Sequence, residues 1–429
     1  MEQKLLLDVH DKPEWKLGLI LSIQHIFAMF GATILVPLLL NMSVSVALFC
    51  SGLGTLIYII ATKAKVPVYL GSSFAYISAV GFAIQQKNGD ISAAQTGIII
   101  VGLIYVLVAA LVKLVGTQWI DKLLPPIVIG PMIMVIGLGL ANSAVKNAGL
   151  VANADLRQIF VALVTFLVTA YINTTAKGFF KIIPFLLGIL AGYIVAIFVG
   201  LVDFTPVTQA NWLQLPNFSL PFDTPWFSTY TFDLGPEAMA ILPLAIVTIS
   251  EHIGDHTVLS EICGRQFLKE PGLKRTLIGD GVATAVSAFL GGPANTTYGE
   301  NTGVIGMTRI ASVSIIRNAA IIAMILSTLG KFTALISTIP QAVIGGMSII
   351  LYGVIASNGL KVMIEAKVDL RLAKNLIIAS AMLVIGLGGA ILQITPELTL
   401  SGTALSALVG IILNLILPAK SGEEGKEVL

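Results

Sequence analysis

One stretch in the second half of the chain places a carboxylate, amides and hydroxyls among apolar neighbours. It covers 291–309, reads GGPANTTYGENTGVIGMTR and includes Glu300. A carboxylate at membrane depth is costly unless it faces protein or a water-filled cavity, so it marks a functional site by default. Gly and Pro interrupt a helix here, and Thr-Thr-Tyr at 296–298 favours extended backbone. Because extended backbone exposed to lipid is not tolerated, we expect this segment to line a cavity inside the protein.

A second polar cluster, EHIGDH, runs from Glu251 to His256. Glu251 and Asp255 are four residues apart and share one face of a helix, while His252 and His256 share the neighbouring face. Neighbouring carboxylates in a buried site do not all ionise easily. If the two carboxylates face Glu300 across a cavity, the group can bind a ligand and take up a proton near neutral pH.

Two other interpretations of this cluster remain open on the sequence alone. The histidines fit the juxtamembrane end of a helix, which would explain His256 and also His252. The run HIGDH also resembles the inverted zinc-protease motif, but with Asp in place of Glu and with no third ligand evident. We therefore expect no metal site.

The composition places these residues in a membrane protein. Of the 429 residues, 56% are hydrophobic and 11% are charged, whereas a soluble domain carries about a quarter charged residues. No basic stripe suggests nucleic acid as a partner. Cys50 and Cys263 fall in or beside apolar segments, so a disulfide framework is not indicated.

Apolar windows of about 20 residues predict fourteen membrane spans. They lie at 17–39, 44–62, 67–85, 93–115, 123–141, 157–173, 179–202, 236–257, 276–291, 294–310, 313–334, 339–357, 374–391 and 398–417. With the N-terminus inside, the Lys and Arg residues fall on the cytoplasmic side, as the positive-inside rule requires. The exceptions are Lys87, Lys146, Arg157 and Lys331. This topology predicts a multi-pass protein of the cytoplasmic membrane, with both termini in the cytoplasm and the loop 203–235 outside.

The chain also repeats itself at offsets close to half its length. The matching pairs are 125–132 with 340–347, Asn142 with Asn358, and 155–157 with 369–371. Because seven spans per half is an odd number, the second copy must be inverted in the membrane. By the same logic, 66–74 in span three is the partner of 295–301 in span ten.

These two partner segments are predicted to be extended and to meet near the middle of the bilayer. Unpaired N–H and C=O groups, with short half-helices behind them, would then form a ligand site made of backbone. The alternative is that the glycines here only allow close helix packing. We expect Gly71, Gly299 and Gly303 to face the site instead.

The motifs resemble those of a known family, the nucleobase and ascorbate transporters. Residues Glu300 to Arg309, ENTGVIGMTR, match its signature, and Gln24-His25 match its Gln-His motif. The similarity is strongest to the bacterial branch that carries uracil, and it covers essentially the whole chain, including QHIFAMFGATILVP, YLGSSFAYIS and NTTYGENTG.

The resemblance implies an all-α polytopic membrane protein with fourteen transmembrane segments in two inverted seven-span repeats. Short extended segments would lie in the broken spans three and ten. A core domain would comprise 17–115 and 236–334, and a gate domain 123–202 and 339–417. The resemblance also implies a homodimer in the lipid bilayer and a proton-coupled symport cycle, with protons as the coupling ion and no cofactor.

Carried over by position, the resemblance makes Glu251 and Glu300 the carboxylates that accept hydrogen bonds from a uracil ring. Backbone groups of Phe74 and Gly299 would contact its carbonyl edge. The further pocket residues would be Ala32, Ser73, Tyr298 and Tyr352.

Proton coupling is where the chain departs from the family. The relative's coupling His, one helical turn after the first Glu, is replaced by Asp255, and His256 is displaced by about 100° around the helix. We therefore expect Asp255 to carry the coupled proton, with Glu251, Glu300 and His256 as further candidates.

Other functions remain open at this point. A membrane-embedded enzyme needs a metal constellation or a nucleophile with its base, and the cluster at 251–256 is only a weak match. A passive channel needs a continuous polar path, whereas the polar residues here are concentrated in two clusters. Within the family, a permease for xanthine or another purine is the nearest alternative.

Overall fold

The structure is a computed structural model that describes residues 5–181, 183–395 and 398–418. Lys4, Lys420 and Lys426, together with the predicted cytoplasmic C-terminal tail, lie outside the described residues.

The first half of the chain is helical, with one short strand. Its elements are α1 (Trp15–Leu40), α2 (Val44–Ala61), β1 (Leu70–Ser72), α3 (Ile77–Gln86), α4 (Ser92–Val115), α5 (Gln118–Leu123), α6 (Pro126–Gly139), α7 (Ala141–Asn147), α8 (Leu156–Thr175) and α9 (Pro184–Phe198). The loop that follows holds α10 (Thr205–Gln209), β2 (Ser219–Leu220) and β3 (Ser228–Thr229). Proline at the first helical position starts α6 and α9, where its missing N–H has no partner to lose.

The second half follows a similar plan. Its elements are α11 (Pro236–Met239), α12 (Leu244–Cys263), α13 (Leu273–Phe289), β4 (Asn295–Thr297), α14 (Gly299–Thr308), α15 (Val313–Ser327), α16 (Gly330–Ser337), α17 (Gln341–Glu365), α18 (Ala373–Leu387), β5 (Ile391–Thr395), β6 (Leu398–Ser401) and α19 (Gly402–Ile416).

Several segments are long and apolar enough to cross a membrane. Among the described residues, seven helical segments meet this criterion: α1, α2, α4, 126–147, α8, 236–263 and α17. The shorter apolar helices are α9, α15, α18 and α19. The chain is therefore a multi-pass membrane protein, and each predicted span overlaps a helix. The number of crossings stays a prediction.

Two predicted spans differ in extent from the helices that they overlap. Residues 398–401 were expected inside the last helix, but they form β6, which pairs with β5 in an antiparallel hairpin, and α19 begins only at Gly402. The β-branched and alternating sequence of this region favours strands. In the other case α12 continues to Cys263, past the predicted end at residue 257.

The predicted extended segments in spans three and ten are confirmed. β1 pairs with β4 in antiparallel register, with Leu70 opposite Thr297 and Ser72 opposite Asn295, and every residue of both strands is buried. This ladder satisfies backbone groups that would be costly to leave unpaired in a membrane. A single 3-10 turn at 74–76 leads from β1 into α3, and α14 follows β4 directly.

Small residues allow the helices behind this crossing to approach closely. A Cβ on Gly102 of α4 would lie 2.5 Å from the carbonyl oxygen of Gly281 in α13, and one on Gly281 would lie 2.6 Å from that of Gly102. Gly130 of α6 and Gly359 of α17 make a similar reciprocal contact. Helix pairs in membranes use small residues in this way, because close backbone contact increases van der Waals attraction.

The two copies of the Asp-Leu-Arg motif have the same local geometry. Asp155 accepts a hydrogen bond from the backbone N–H of Arg157 at 2.9 Å and contacts its guanidinium at 2.7 Å. For Asp369 and Arg371 the corresponding distances are 2.9 and 2.8 Å. In each copy, hydrogen bonding to the arginine holds the pKa of the aspartate below its usual value.

Candidate functional site

One side of α14 faces open space near its start. A Cβ on Gly299 or Gly303 would meet no atom within 4 Å, and Glu300, between them, is half-buried. The expectation that these two glycines do not serve helix packing is confirmed. The helix N-terminus carries a partial positive charge and free N–H groups, which favour a carboxylate at Glu300 and can also bind a ligand oxygen.

One face of α12 is open as well. Glu251 is exposed, and a Cβ on Gly254 would again meet nothing within 4 Å. Asp255 is half-buried and accepts a hydrogen bond from the hydroxyl of Thr297 in β4. This contact places the second carboxylate of α12 directly against the strand that leads into α14.

The neighbouring face of α12 is buried against other helices. His252 and His256 are fully buried, with their rings stacked at 4.1 Å between centroids. His252 Nδ1 lies 2.8 Å from a carboxylate oxygen of Asp280 in α13, and His256 Nε2 bonds to the hydroxyl of Tyr58 in α2. The histidines therefore do not mark the end of a helix, because α12 continues to Cys263 and both rings are buried.

Tyr298 fills the space beneath the strand crossing. Its hydroxyl donates to the carbonyl oxygen of Ser72 at 3.1 Å and accepts from Thr33 of α1, also at 3.1 Å. A Cβ on Gly71 would lie 2.3 Å from the Tyr298 ring. The expectation that Gly71 faces the site is therefore wrong: this glycine makes room for the aromatic ring.

The other predicted site residues lie at different depths. Ser73 is 1% exposed, and its hydroxyl has no hydrogen-bond partner among the described residues, which is costly for a buried group. Phe74 is half-buried and begins the 3-10 turn before α3. Tyr352 is buried on α17. The roles of these residues as ligand contacts stay predictions.

A cavity of about 210 Å³ joins Glu300 to Ala32 of α1. Its wall also includes Lys181, the start of α9 and Val354 of α17, so elements of both predicted domains line it. Drug-sized ligands occupy about 300 to 1,000 Å³, so this volume suits a smaller molecule. A larger cavity of about 470 Å³, near Asn41 and Gln341, contains none of the predicted site residues, and we give it no role in the site.

The two family motifs meet in space. Asn301 Nδ2 lies 3.1 Å from His25 Nδ1 and donates to the carbonyl oxygen of His25, also at 3.1 Å. The Gln-His motif of α1 therefore packs against the residue that follows Glu300, and it anchors the first turn of α14.

The sequence reasoning missed Asp280 and the role of Thr297. Asp280 stands alone in an apolar run, TLIGDGVATA, and it is completely buried. The rule that marks an intramembrane carboxylate as significant would have found it. Nothing in the pattern marks Thr297 as the partner of Asp255, because that contact depends on how α12 lies against β4.

The family match and the named relatives indicate a transporter rather than an enzyme. The sequence model described as "Permease family" (Xan_ur_permease) matches residues 18–395. The chain is 49% identical to a uracil permease of Bacillus caldolyticus, over 97% of this chain and 96% of that protein. It is 41% identical to a uracil permease of Escherichia coli (strain K12), over 99% and 96%. The chain belongs to this permease family.

Solved structures with low sequence identity share the fold. The transmembrane domain of a cyanobacterium bicarbonate transporter, BicA, gives a TM-score of 0.62 at 16% identity, covering 95% of this chain and all of that one. The murine Solute Carrier 26 family member A9 anion transporter, in its inward-facing state, gives 0.66 at 14% identity, covering 94% and 68%. At this identity the likeness concerns the fold alone.

Proposed function

We propose that this chain carries uracil across the membrane in symport with protons. The observation that carries the proposal is the pairing of open groups at the crossing: Glu251 on α12 and the Gly299–Glu300 turn of α14 both face open space. Uracil presents alternating N–H donors and C=O acceptors on a flat ring. Carboxylates accept from the ring N–H groups, and helix N-terminal amides donate to a ring oxygen. The names of the relatives support the same substrate.

Proton coupling is the second part of the proposal. Asp255 is close to the ligand turn, because its hydrogen bond to Thr297 connects it to the last residue of β4, two residues before α14 begins at Gly299. Protonation of Asp255 would change the charge of a group next to the ligand turn. Glu251 and Glu300 share the same region, so the proton is carried by this carboxylate group, with Asp255 as its principal member and His256 as the further candidate.

The transport cycle in this proposal is alternating access between a core and a gate domain. The fourteen-span topology, the two inverted repeats and the core and gate boundaries given above are all part of it. Matching geometry at Asp155 and Asp369 supports the repeats. The cavity wall drawn from α1, α9, α14 and α17 supports a site between two domains. A homodimer, cytoplasmic termini and a cytoplasmic-membrane location complete the proposal.

The experiment is uptake of labelled uracil into proteoliposomes, driven by a proton gradient. Accumulation against the uracil gradient is expected, and it should disappear with a proton-conducting ionophore. Unlabelled uracil should compete better than xanthine or other purines. Better competition by xanthine would identify a purine permease instead, and equilibration without accumulation would identify a passive pathway.

Glu300→Ala tests whether the Glu300 carboxylate binds uracil. Loss of a charged hydrogen-bond partner costs about 1.5 to 3 kcal/mol, so uracil affinity should fall roughly tenfold to more than a hundredfold. The control is Glu261→Ala, which removes an exposed carboxylate near the end of α12. Near-normal uracil affinity in Glu300→Ala, measured by isothermal titration, would contradict the assignment.

A further inference from the structure

The two carboxylate-bearing helices end side by side. α12 terminates at Gly264 and α14 at Arg309, both in the left-handed conformation, with φ of 61° and 57°. Arg309 Nη1 donates to the carbonyl oxygen of Ile262 in the last turn of α12 at 3.4 Å. A Cβ on Gly306 would lie 3.3 Å from the Ile262 side chain, so the last turns of the two helices are in close contact.

The segment ahead of α1 joins this junction by backbone hydrogen bonds. Residues 5–11, which we name the N-terminal strap, run parallel to the link between α14 and α15. The N–H of Leu6 donates to the carbonyl oxygen of Arg309 at 2.7 Å, and the N–H of Ala311 donates to that of Leu7 at 2.8 Å. The strap therefore forms one bridge of a two-stranded ladder with the end of α14.

The same strap satisfies the start of α15. The N–H of Val313, in the first turn of α15, donates to the carbonyl oxygen of Val9 at 3.0 Å. The hydroxyl of Ser312 donates to the carbonyl oxygen of Asp11 at 2.6 Å. Helix N-termini leave N–H groups without intrahelical partners, so the carbonyl of Val9 takes the place of water or a side-chain cap for Val313. The Val9 side chain is 1% exposed and packs into the core.

The strap also reaches α12. Asp8 lies 2.5 Å from the guanidinium of Arg265, the residue after the left-handed Gly264 that ends the helix. The hydrogen bond from Arg265 lowers the pKa of Asp8 below its usual value, so the pair is charged at neutral pH. One short segment thus holds the ends of both α12 and α14.

We propose that the N-terminal strap is a clasp that positions α12 and α14 relative to each other, with Asp8 and Val9 as its positioning residues. The inference rests on the proposed function and names a new element of that site. α14 has 10 residues and follows a strand directly, so its far end needs an anchor. Binding groups must be held within about 0.5 Å of their productive geometry. Loosening the clasp should therefore weaken ligand binding although no strap residue touches the site.

The first experiment asks whether the clasp forms, without using any ligand. Two N–H groups of the strap donate to the carbonyl oxygen of Arg309, that of Leu6 at 2.7 Å and that of Leu7 at 3.4 Å. Leu6→Pro removes the closer donor, whereas Leu6→Ser keeps both and alters only a side chain that is 73% exposed. In the purified full-length protein, hydrogen–deuterium exchange over 309–315 should be faster in Leu6→Pro than in Leu6→Ser. Equal exchange in the two variants would overturn the clasp.

The second experiment asks whether the clasp positions the site. In Asp8→Arg and in Arg265→Asp we expect uracil Kd to rise by roughly tenfold, since a misplacement of about 1 Å can cost up to a hundredfold. The double variant, Asp8→Arg with Arg265→Asp, restores the pair and should restore most of the affinity. Unchanged Kd in both single variants, despite faster exchange over 309–315, would overturn the positioning role and leave a purely structural tie.

Two further measurements separate this proposal from the function on which it rests. Val9→Asp places a charge at a buried position and should weaken binding, whereas His10→Ala at an exposed position should not. If the unaltered protein bound no uracil, the proposed function would fail, and the exchange experiment would still decide whether the clasp exists.

Discussion

Helix α12 presents two neighbouring faces with opposite environments. On one face, Glu251 is exposed and Gly254 borders open space. On the other, His252 and His256 are completely buried and bond to groups of α13 and α2. Both faces are rich in titratable residues, so residue type alone does not separate ligand contact from support. The difference lies in what packs against each face. It predicts that a substitution at Glu251 weakens ligand binding, whereas one at the next residue, His252, lowers stability.

The largest expected effect is a loss of stability from substitution on the buried face of α12. His252→Ala leaves the buried Asp280 without its described hydrogen-bond partner, and a buried polar group left unsatisfied costs about 1 to 3 kcal/mol, to which the cavity left by the ring adds. The free energy of unfolding should fall by that order, measured by denaturant unfolding in detergent. Uracil affinity of the remaining folded protein should change little. A midpoint equal to that of the unaltered protein would mean that this face is not structural.

The matched change at the open face is Glu251→Ala. Uracil affinity should fall roughly tenfold or more, because a charged hydrogen bond contributes about 1.5 to 3 kcal/mol. The unfolding midpoint should stay close to normal, since the side chain is exposed. If Glu251→Ala lowered stability and His252→Ala weakened uracil binding, the open face would be structural and the buried face would bind the ligand, which contradicts the assignment.

A subtler comparison concerns coupling. Asp255→Asn is nearly isosteric and can keep the contact with Thr297, but an amide does not titrate. We expect it to bind uracil and to exchange uracil across proteoliposomes, while accumulation driven by a proton gradient is lost. His256→Gln keeps a hydrogen-bonding group beside Tyr58 and should retain accumulation. The reverse result would return the coupling role to the histidine.

The smallest expected effect comes from two glycines. Gly254 lies in the interior of α12, and a Cβ added there would meet no other atom within 4 Å. Gly254→Ala should therefore raise the free energy of unfolding by about 0.5 to 1 kcal/mol, because alanine favours the helix over glycine. Gly279→Ala, on α13, would bring a Cβ within 2.9 Å of the Tyr58 ring and should lower stability. Thermal unfolding of both variants tests the contrast directly. Loss of uptake in Gly254→Ala without loss of stability would show that a ligand or a moving helix needs that space.

Sequence reasoning was most successful where a local pattern determines the answer. Gly and Thr residues predicted the extended segments that the structure shows as β1 and β4, and the four-residue spacing correctly placed Glu251 and Asp255 on one side of α12. The burial of the histidines did not follow from their spacing. It depends on Asp280, which belongs to a different helix.

The glycines show the same limit. Gly71 and Gly299 stand in comparable positions of the two sequence repeats, yet Gly71 lies within β1 against the Tyr298 ring, whereas Gly299 begins α14 and borders open space. A glycine fits both situations equally well, so the sequence could not assign them. The ends of α12 and α19 are not set by the apolar pattern: α12 ends at the left-handed Gly264, and α19 begins only after the β5–β6 hairpin.

The pairing of β1 with β4 also constrains the order in which the protein can assemble during synthesis. β1 lies near residue 70 and its partner near residue 296, so the first strand leaves the ribosome long before the second. Until then its N–H and C=O groups have no ladder, and unpaired backbone is unfavourable within a bilayer. We therefore expect the third apolar segment to settle at its final depth only after β4 has been translated. A ribosome stalled before residue 295 should hold an early half that is still incompletely inserted.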